Sequence, residues 1–195
     1  MSADSEWALM EGSKHFGEAN AVFETLSRIT KRLDEIGVEY AVVGGLALFH
    51  HGYRRFTEGV GLLVTPDGLA KVHEELNGLG YLPPHATSKH LRDTQTGVRV
   101  EFLTTGGFPG DGKPKAVAFP TPDLVVVDEA GRRYLPLERL VELKLASGMT
   151  AHGRRKDLAD VQELIAAAGL PIELAEALDP YVRDLYREIC RDTND

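Results

Sequence analysis

The stretch from Val42 to Val64 constrains this chain more than any other. A β-branched apolar run over Glu39–Val43 stops at Gly44-Gly45, and a short apolar helix pattern follows from Leu46 to His51, closed by Gly52. A basic step, Arg54-Arg55, leads through Thr57 into a second strand, Val60-Gly61-Leu62-Leu63-Val64. A strand, two glycines, a one-to-two-turn helix and a returning strand leave few folds open, because the returning strand must find a sheet.

The rest of the chain supplies that sheet and its cover. Val22, Leu26, Ile29, Leu33 and Ile36 recur at helical spacing, and Gly37 ends the helix that they predict. Thr65-Pro66-Asp67 starts a helix to about residue 79, with Leu69, Val72, Leu76 and Leu79 on one face. Strands are expected at 91–93, 98–103, 124–128 and 133–135, with a glycine- and proline-rich loop over 104–114. From Leu137 the pattern is helical, over 137–147, 155–168, 171–178 and 180–190. Residues 1–18 carry no sustained period and read as a lead-in. The fold class is therefore α/β (α+β): a mixed-sheet core over residues 20–135, flanked by helices, with a C-terminal helical subdomain over 136–195.

Gly59 and Gly61 are unusual inside such a strand. Each costs a strand about 0.5–1 kcal/mol relative to alanine, so a pair needs a reason. A bulge or a close backbone approach is one. Another is that side chains once needed there have been replaced.

The order of these residues gives the second reason content. Val43-Gly44-Gly45, Leu46-Ala47, His51-Gly52, Arg55 and Thr57 before a strand resemble the DNA-polymerase-β-like nucleotidyltransferases, the AbiEii-type toxin branch in particular. That family continues with acid-apolar-acid on the strand, where this chain has Gly59-Val60-Gly61. Residues i and i+2 of a strand face the same way, about 6.6 Å apart, so two acids there can chelate Mg²⁺ and align a triphosphate. Glycine offers no ligand, and the resemblance implies an inactive form of the enzyme, either silenced by design or decayed into a pseudoenzyme. Glu58 is next in line, but strand alternation would turn it from 59 and 61.

The resemblance also assigns the remaining parts. Arg99-Val100-Glu101-Phe102-Leu103 fits the strand bearing the third carboxylate, with Glu101 toward the cleft as base or metal ligand; the alternative is a solvated glutamate on an edge strand. Gly44 and Gly45 would let the backbone approach phosphate, Arg55 would meet the γ-phosphate or stay on the surface, and Thr57 would cap or touch the metal-bound phosphate. Lys144, in Leu140–Leu145, would reach phosphate as a point charge, and Lys156-Asp157-Leu158-Ala159-Asp160 would open the next helix, with Asp157 in its first turn. For Asp157 and Asp160, capping and surface polarity stand beside a functional role. The implied cofactor is Mg²⁺ and the implied substrate a nucleoside triphosphate, with tRNA or a protein as acceptor and a cognate antitoxin as partner. An antibiotic-type enzyme with a small-molecule acceptor shares the core, and a binding module acting through a partner protein is the non-enzymatic alternative.

Bulk properties narrow the classes further. A net charge of −8 argues against a broad electrostatic grip on nucleic acid, though Arg54-Arg55, Lys113–Lys115 and Arg154–Lys156 could converge on one cleft rim, and Arg132-Arg133 is a further basic pair. One cysteine, Cys190, makes no disulfide or zinc pattern, and the histidines lack metal spacing. No apolar run is long enough for a membrane span, and Met1–Glu11 lacks a signal pattern, so a cytoplasmic address is expected.

Overall fold

Asn20 opens the first helix by accepting hydrogen bonds from the amides of Val22 and Phe23, at 3.1 and 3.2 Å. The helix, α1 (Ala21–Glu35), buries Val22, Leu26, Ile29 and Leu33, the residues whose spacing predicted it, and Gly37 turns the chain at φ 65°. The computed structural model describes residues 20–194; the lead-in read over 1–18 lies outside the described residues, as do 19 and 195.

The chain then forms β1 (Tyr40–Val43), α2 (Gly44–His50), β2 (Gly59–Val64), α3 (Pro66–Leu76), β3 (Tyr81–Leu82), β4 (Leu91–Asp93), β5 (Arg99–Thr104), β6 (Val126–Val127) and β7 (Arg133–Tyr134). The helical part is α4 (Leu137–Thr150), a 3₁₀ turn at His152–Arg154, α5 (Arg155–Ala168), a 3₁₀ helix at Ile172–Ala177, and α6 (Pro180–Asn194). The strands make one mixed sheet in the order β3-β4-β5-β2-β1-β7-β6. Strand β2 runs antiparallel to β1 and parallel to β5, and β1 runs parallel to β7. The architecture is the expected α/β class, a mixed sheet flanked by helices.

Alternation along the two central strands splits core from cleft. Val60, Leu62, Val100 and Phe102 are buried, while Gly61 and Glu101 stand opposite each other in register on the intervening positions. One apolar core runs from Leu26 and Val42 through Leu140, Val141 and Leu164, so it is continuous across residue 135. Far along the sheet, Arg28 of α1 lies 3.2 Å from the buried Asp93 carboxylate and ties α1 to β4.

Several expectations need correction. The glycine pair ends β1 as read, but α2 starts at Gly44 and ends at His50 instead of running from Leu46 to His51. Helix α3 stops at Leu76, because Gly78 and Gly80 take φ values of 80° and 95° that a helix cannot use, and Leu79 is 66% exposed instead of buried. The strand read over 124–128 shrinks to two exposed valines, and 171–178 is a 3₁₀ helix rather than an α-helix. Helices α4 and α6 run past their expected ends at 147 and 190. Strand β3, two residues long, carries no alternation from which it can be read. No helix among the described residues is long and apolar enough to cross a membrane.

Candidate nucleotide cleft

Strand β1 ends where β2 and β5 pass beside it, and Val43, Gly61 and Glu101 align across the three strands. Gly44, at φ 69°, takes the left-handed conformation that turns the chain from β1 into α2, with open space around the position of a side chain. Gly45 has a different reason. A Cβ on it would lie 2.7 Å from the Thr57 hydroxyl oxygen, so Thr57 packs directly on the Gly45 backbone. The Thr57 hydroxyl itself points at the Gly59 carbonyl at 3.4 Å. It caps no helix.

Gly59 and Gly61 lie in unbroken register with β5, and Gly61 also with β1, so there is no bulge. A Cβ would sit 3.0 Å from the Arg99 carbonyl oxygen at Gly59, and 3.2 Å from that of Val43 at Gly61. Both are tight. A side chain at either position needs its neighbour to give by a few tenths of an ångström.

Around these strands opens a cleft of about 470 Å³ bordered by Gly44, Gly45, Arg55, Thr57, Gly59, Gly61, Glu101, Lys144 and Asp157, together with Phe56, Glu58, Val60, Arg154 and Lys156. Asp160 lies behind Lys144 and Arg55, whereas the residues read as phosphate-, metal- or acceptor-facing all border it. Glu58 also does so, from a position before β2 begins, where strand alternation does not govern it. A second cavity of about 180 Å³ adjoins the first through Gly44, Gly61, Glu101, Lys144, Arg154 and Asp157, and adds apolar walls from Val43, Leu103, Phe119, Leu140 and Leu143. Phe119 was not legible in the sequence, since its loop has no period.

Helices α4 and α5 bring in the charged wall. Lys144, 9% exposed, donates to Asp157 Oδ1 at 2.9 Å and to Asp160 Oδ2 at 2.7 Å. Arg55 Nε lies 3.0 Å from Asp160 Oδ1, and Ser147 Oγ donates to Asp157 Oδ2 at 2.7 Å. Burial disfavours the charged form of Asp157. The Lys144 charge, hydrogen bonds from Ser147 and Lys144, and the Arg154 charge together outweigh it, and its pKa falls below the ordinary 3.8. Asp160 is buried too, and the N-cap of α5 is Arg154, with no side-chain cap bond. Neither aspartate is a cap or surface polarity. Lys144 and Arg55 are thus held by carboxylates at the cleft wall rather than extended into it.

Glu101 is half-exposed, 3.0 Å from Arg99, on a strand flanked by β4 and β2. Of the alternative reading, a solvated glutamate on an edge strand, the solvation holds and the edge position does not. Of the three basic loops, two reach the cleft, through Arg55 and through Arg154 and Lys156. Arg54 instead covers the Phe49 ring at 5.3 Å, and Lys115 pairs with Asp111 at 2.7 Å away from the cleft lining. Arg132 and Arg133 are structural, paired with Asp128 and Asp34. Cys190 is buried in α6. His51 is held at 2.8 Å from the Leu135 carbonyl, and burial foremost pushes its pKa down.

A divalent metal does not fit the residues present. Gly59 and Gly61 offer no ligand atoms, Glu101 is engaged by Arg99, and among the described residues no group of three or more His, Cys, Asp or Glu side chains is placed to hold an ion.

No protein-family model matches the chain, and no curated protein matches it. Among the solved structures that it is similar to is ANT(2'')-Ia in complex with adenylyl-2''-tobramycin, at 10% sequence identity and a TM-score of 0.49, over 88% of this chain and 99% of that one.

Proposed function

We propose that this chain is a nucleotidyltransferase-type protein that holds a nucleoside triphosphate in the cleft beside β1, β2 and β5, and that glycine at 59 and 61 silences transfer. One observation carries the reading. Four stretches far apart in sequence, at 44–45, 55–61, 101 and 144–157, meet around a single cleft, in the order in which a nucleotidyltransferase uses them. Core packing needs only that the apolar residues meet. It does not require that Glu101, Lys144, Asp157 and the glycine pairs share one opening.

Within this reading Gly44 brings the backbone of the β1–α2 turn to the phosphates, and Lys144 with Asp157 and Arg55 with Asp160 form a rigid wall that orients them. Glu101 stands where an acceptor hydroxyl would be activated. The missing pair of acids removes the Mg²⁺ that would neutralise charge at the leaving pyrophosphate, and the loss is worth several kcal/mol of transition-state stabilisation, on the order of 3 or more. The acceptor pool to test first is tRNA and protein, following the likeness to the toxin branch, with a cognate antitoxin as partner.

A second reading has an observation of its own. The close approach of carbonyl oxygens to the positions of both missing Cβ atoms favours a backbone adapted to glycine, hence a pseudoenzyme that binds nucleotide and acts through a partner. The two are separated by incubating the native chain and Gly59→Asp/Gly61→Asp with α-labelled nucleoside triphosphates, Mg²⁺, and total tRNA or protein. A silenced enzyme predicts label on an acceptor with the double variant alone. Label with the native chain contradicts the silencing. A folded double variant that labels nothing favours the binding module.

A further inference from the structure

The charges along the cleft nearly cancel, and how they cancel is informative. Asp157 and Asp160 offset Lys144 and Arg55 at 2.7–3.2 Å, and Arg99 offsets Glu101. That leaves Arg154 and Lys156 against Glu58 at the mouth, all three exposed. Arg154 lends its field to Asp157, and Lys156 forms no salt bridge with any described residue. The balance is cationic. Two aspartates at 59 and 61 would turn it anionic, and such a cleft would repel a polyphosphate until a divalent cation restored the sign. With glycine at both positions the cleft reaches a cationic balance with no cation at all.

From this balance, and on the reading of the cleft as a nucleotide site, we infer that the protein binds nucleoside triphosphate in its metal-free form and that Mg²⁺ opposes the binding. A divalent ion on the triphosphate cancels charge that Arg154 and Lys156 would otherwise attract, and the glycines give the ion nothing to hold in exchange. Attraction between the exposed Arg154 and Lys156 and a polyphosphate is screened by salt, so the binding weakens as salt is added.

The test is calorimetric titration of ATP, GTP, CTP and UTP, one at a time, into the full chain in EDTA and again in excess Mg²⁺. The native chain binds at least one of them in EDTA, and excess Mg²⁺ weakens that binding several-fold, up to about tenfold. Gly59→Asp/Gly61→Asp reverses the order, binding more tightly with Mg²⁺ than in EDTA. Arg154→Glu/Lys156→Glu, at two exposed positions where folding is not at risk, weakens binding in EDTA by about tenfold or more. Native binding that is as tight or tighter with Mg²⁺ overturns the inference and leaves the nucleotide cleft standing. Binding untouched by Arg154→Glu/Lys156→Glu overturns it as well, because the anion then sits elsewhere. No binding of any of the four in either condition overturns the nucleotide reading of the cleft itself. Should the double aspartate variant fail to melt cooperatively, the native chain and the Arg154/Lys156 variant still decide the matter.

Discussion

Lys144 lies between Asp157 and Asp160 at 2.9 and 2.7 Å, and Arg55 closes the other side of Asp160. Removing the lysine leaves Asp157 without its ammonium partner and Asp160 paired with Arg55 alone. Lys144→Met is expected to cost about 3 kcal/mol near pH 7, the usual price of stranding a buried charge. The pH dependence follows from Asp157, whose pKa is lowered in the folded state. A depressed carboxylate contributes stability that is complete above its unfolded value of 3.8 and is lost as the pH falls through the folded value. The native chain should therefore keep this contribution down to about pH 4. In Lys144→Met, Asp157 loses the charge and hydrogen bond that hold its pKa down and binds a proton more readily, so the variant regains stability on acidification and the gap to the native chain narrows from about pH 7 to about pH 4. Urea midpoints at both pH values check this, and a constant gap contradicts it. Lys144 and Asp157 were legible because charged residues amid an apolar helix and at a helix start stand out. Asp160 was visible as a motif residue, but its burial and its grip on Arg55, 105 residues earlier, were not. Ser147, in an ordinary helical position, gave no signal at all.

Helices α4 and α5 meet at Gly148, where a Cβ would run into the Leu158 side chain. Gly110, from the loop after β5, leans on the same helix: a Cβ there would lie 2.8 Å from the Ser147 carbonyl oxygen. These contacts set the spacing that lets Lys144 of α4 reach Asp157 and Asp160 of α5. In an exposed helix, glycine to alanine gains about 1 kcal/mol. Here overpacking against Leu158 costs about 1–3 kcal/mol, and Gly148→Ala is expected to be net destabilising by about 1 kcal/mol in urea denaturation. Net stabilisation would mean that Leu158 gives way freely. At this scale the sequence read well wherever a period was sustained, as in α1, α5 and the buried β1. It failed where the element is too short for one, as in β3, and where local geometry decides between α and 3₁₀, as at Ile172–Ala177. Close-packed glycines such as Gly148 leave no trace in hydrophobic periodicity, because the signal is a missing side chain.

The whole molecule is acidic, with a net charge of −8, yet it presents Arg154 and Lys156 at the mouth of one cleft. Topology achieves this concentration. The parallel pairing of β2 with β5, 40 residues apart in register, brings Glu101 beside Gly61, and α4 and α5 return to the same end of β1. The order of motifs was visible in the sequence, whereas the union of 44–45, 55–61, 101 and 144–157 around one opening needed the sheet order, which no local pattern encodes. That union is the centre of the account, and hydrogen–deuterium exchange of the native chain with and without ATP in EDTA tests it without any substitution. The account predicts slowed exchange together at the β1–α2 turn, along the segment leading into β2, and at the α4–α5 junction, with the cavity lined by Gly169, Leu170 and Cys190 unchanged. Protection confined to that C-terminal cavity, or spread evenly over the sheet with none at the α4–α5 junction, would contradict it.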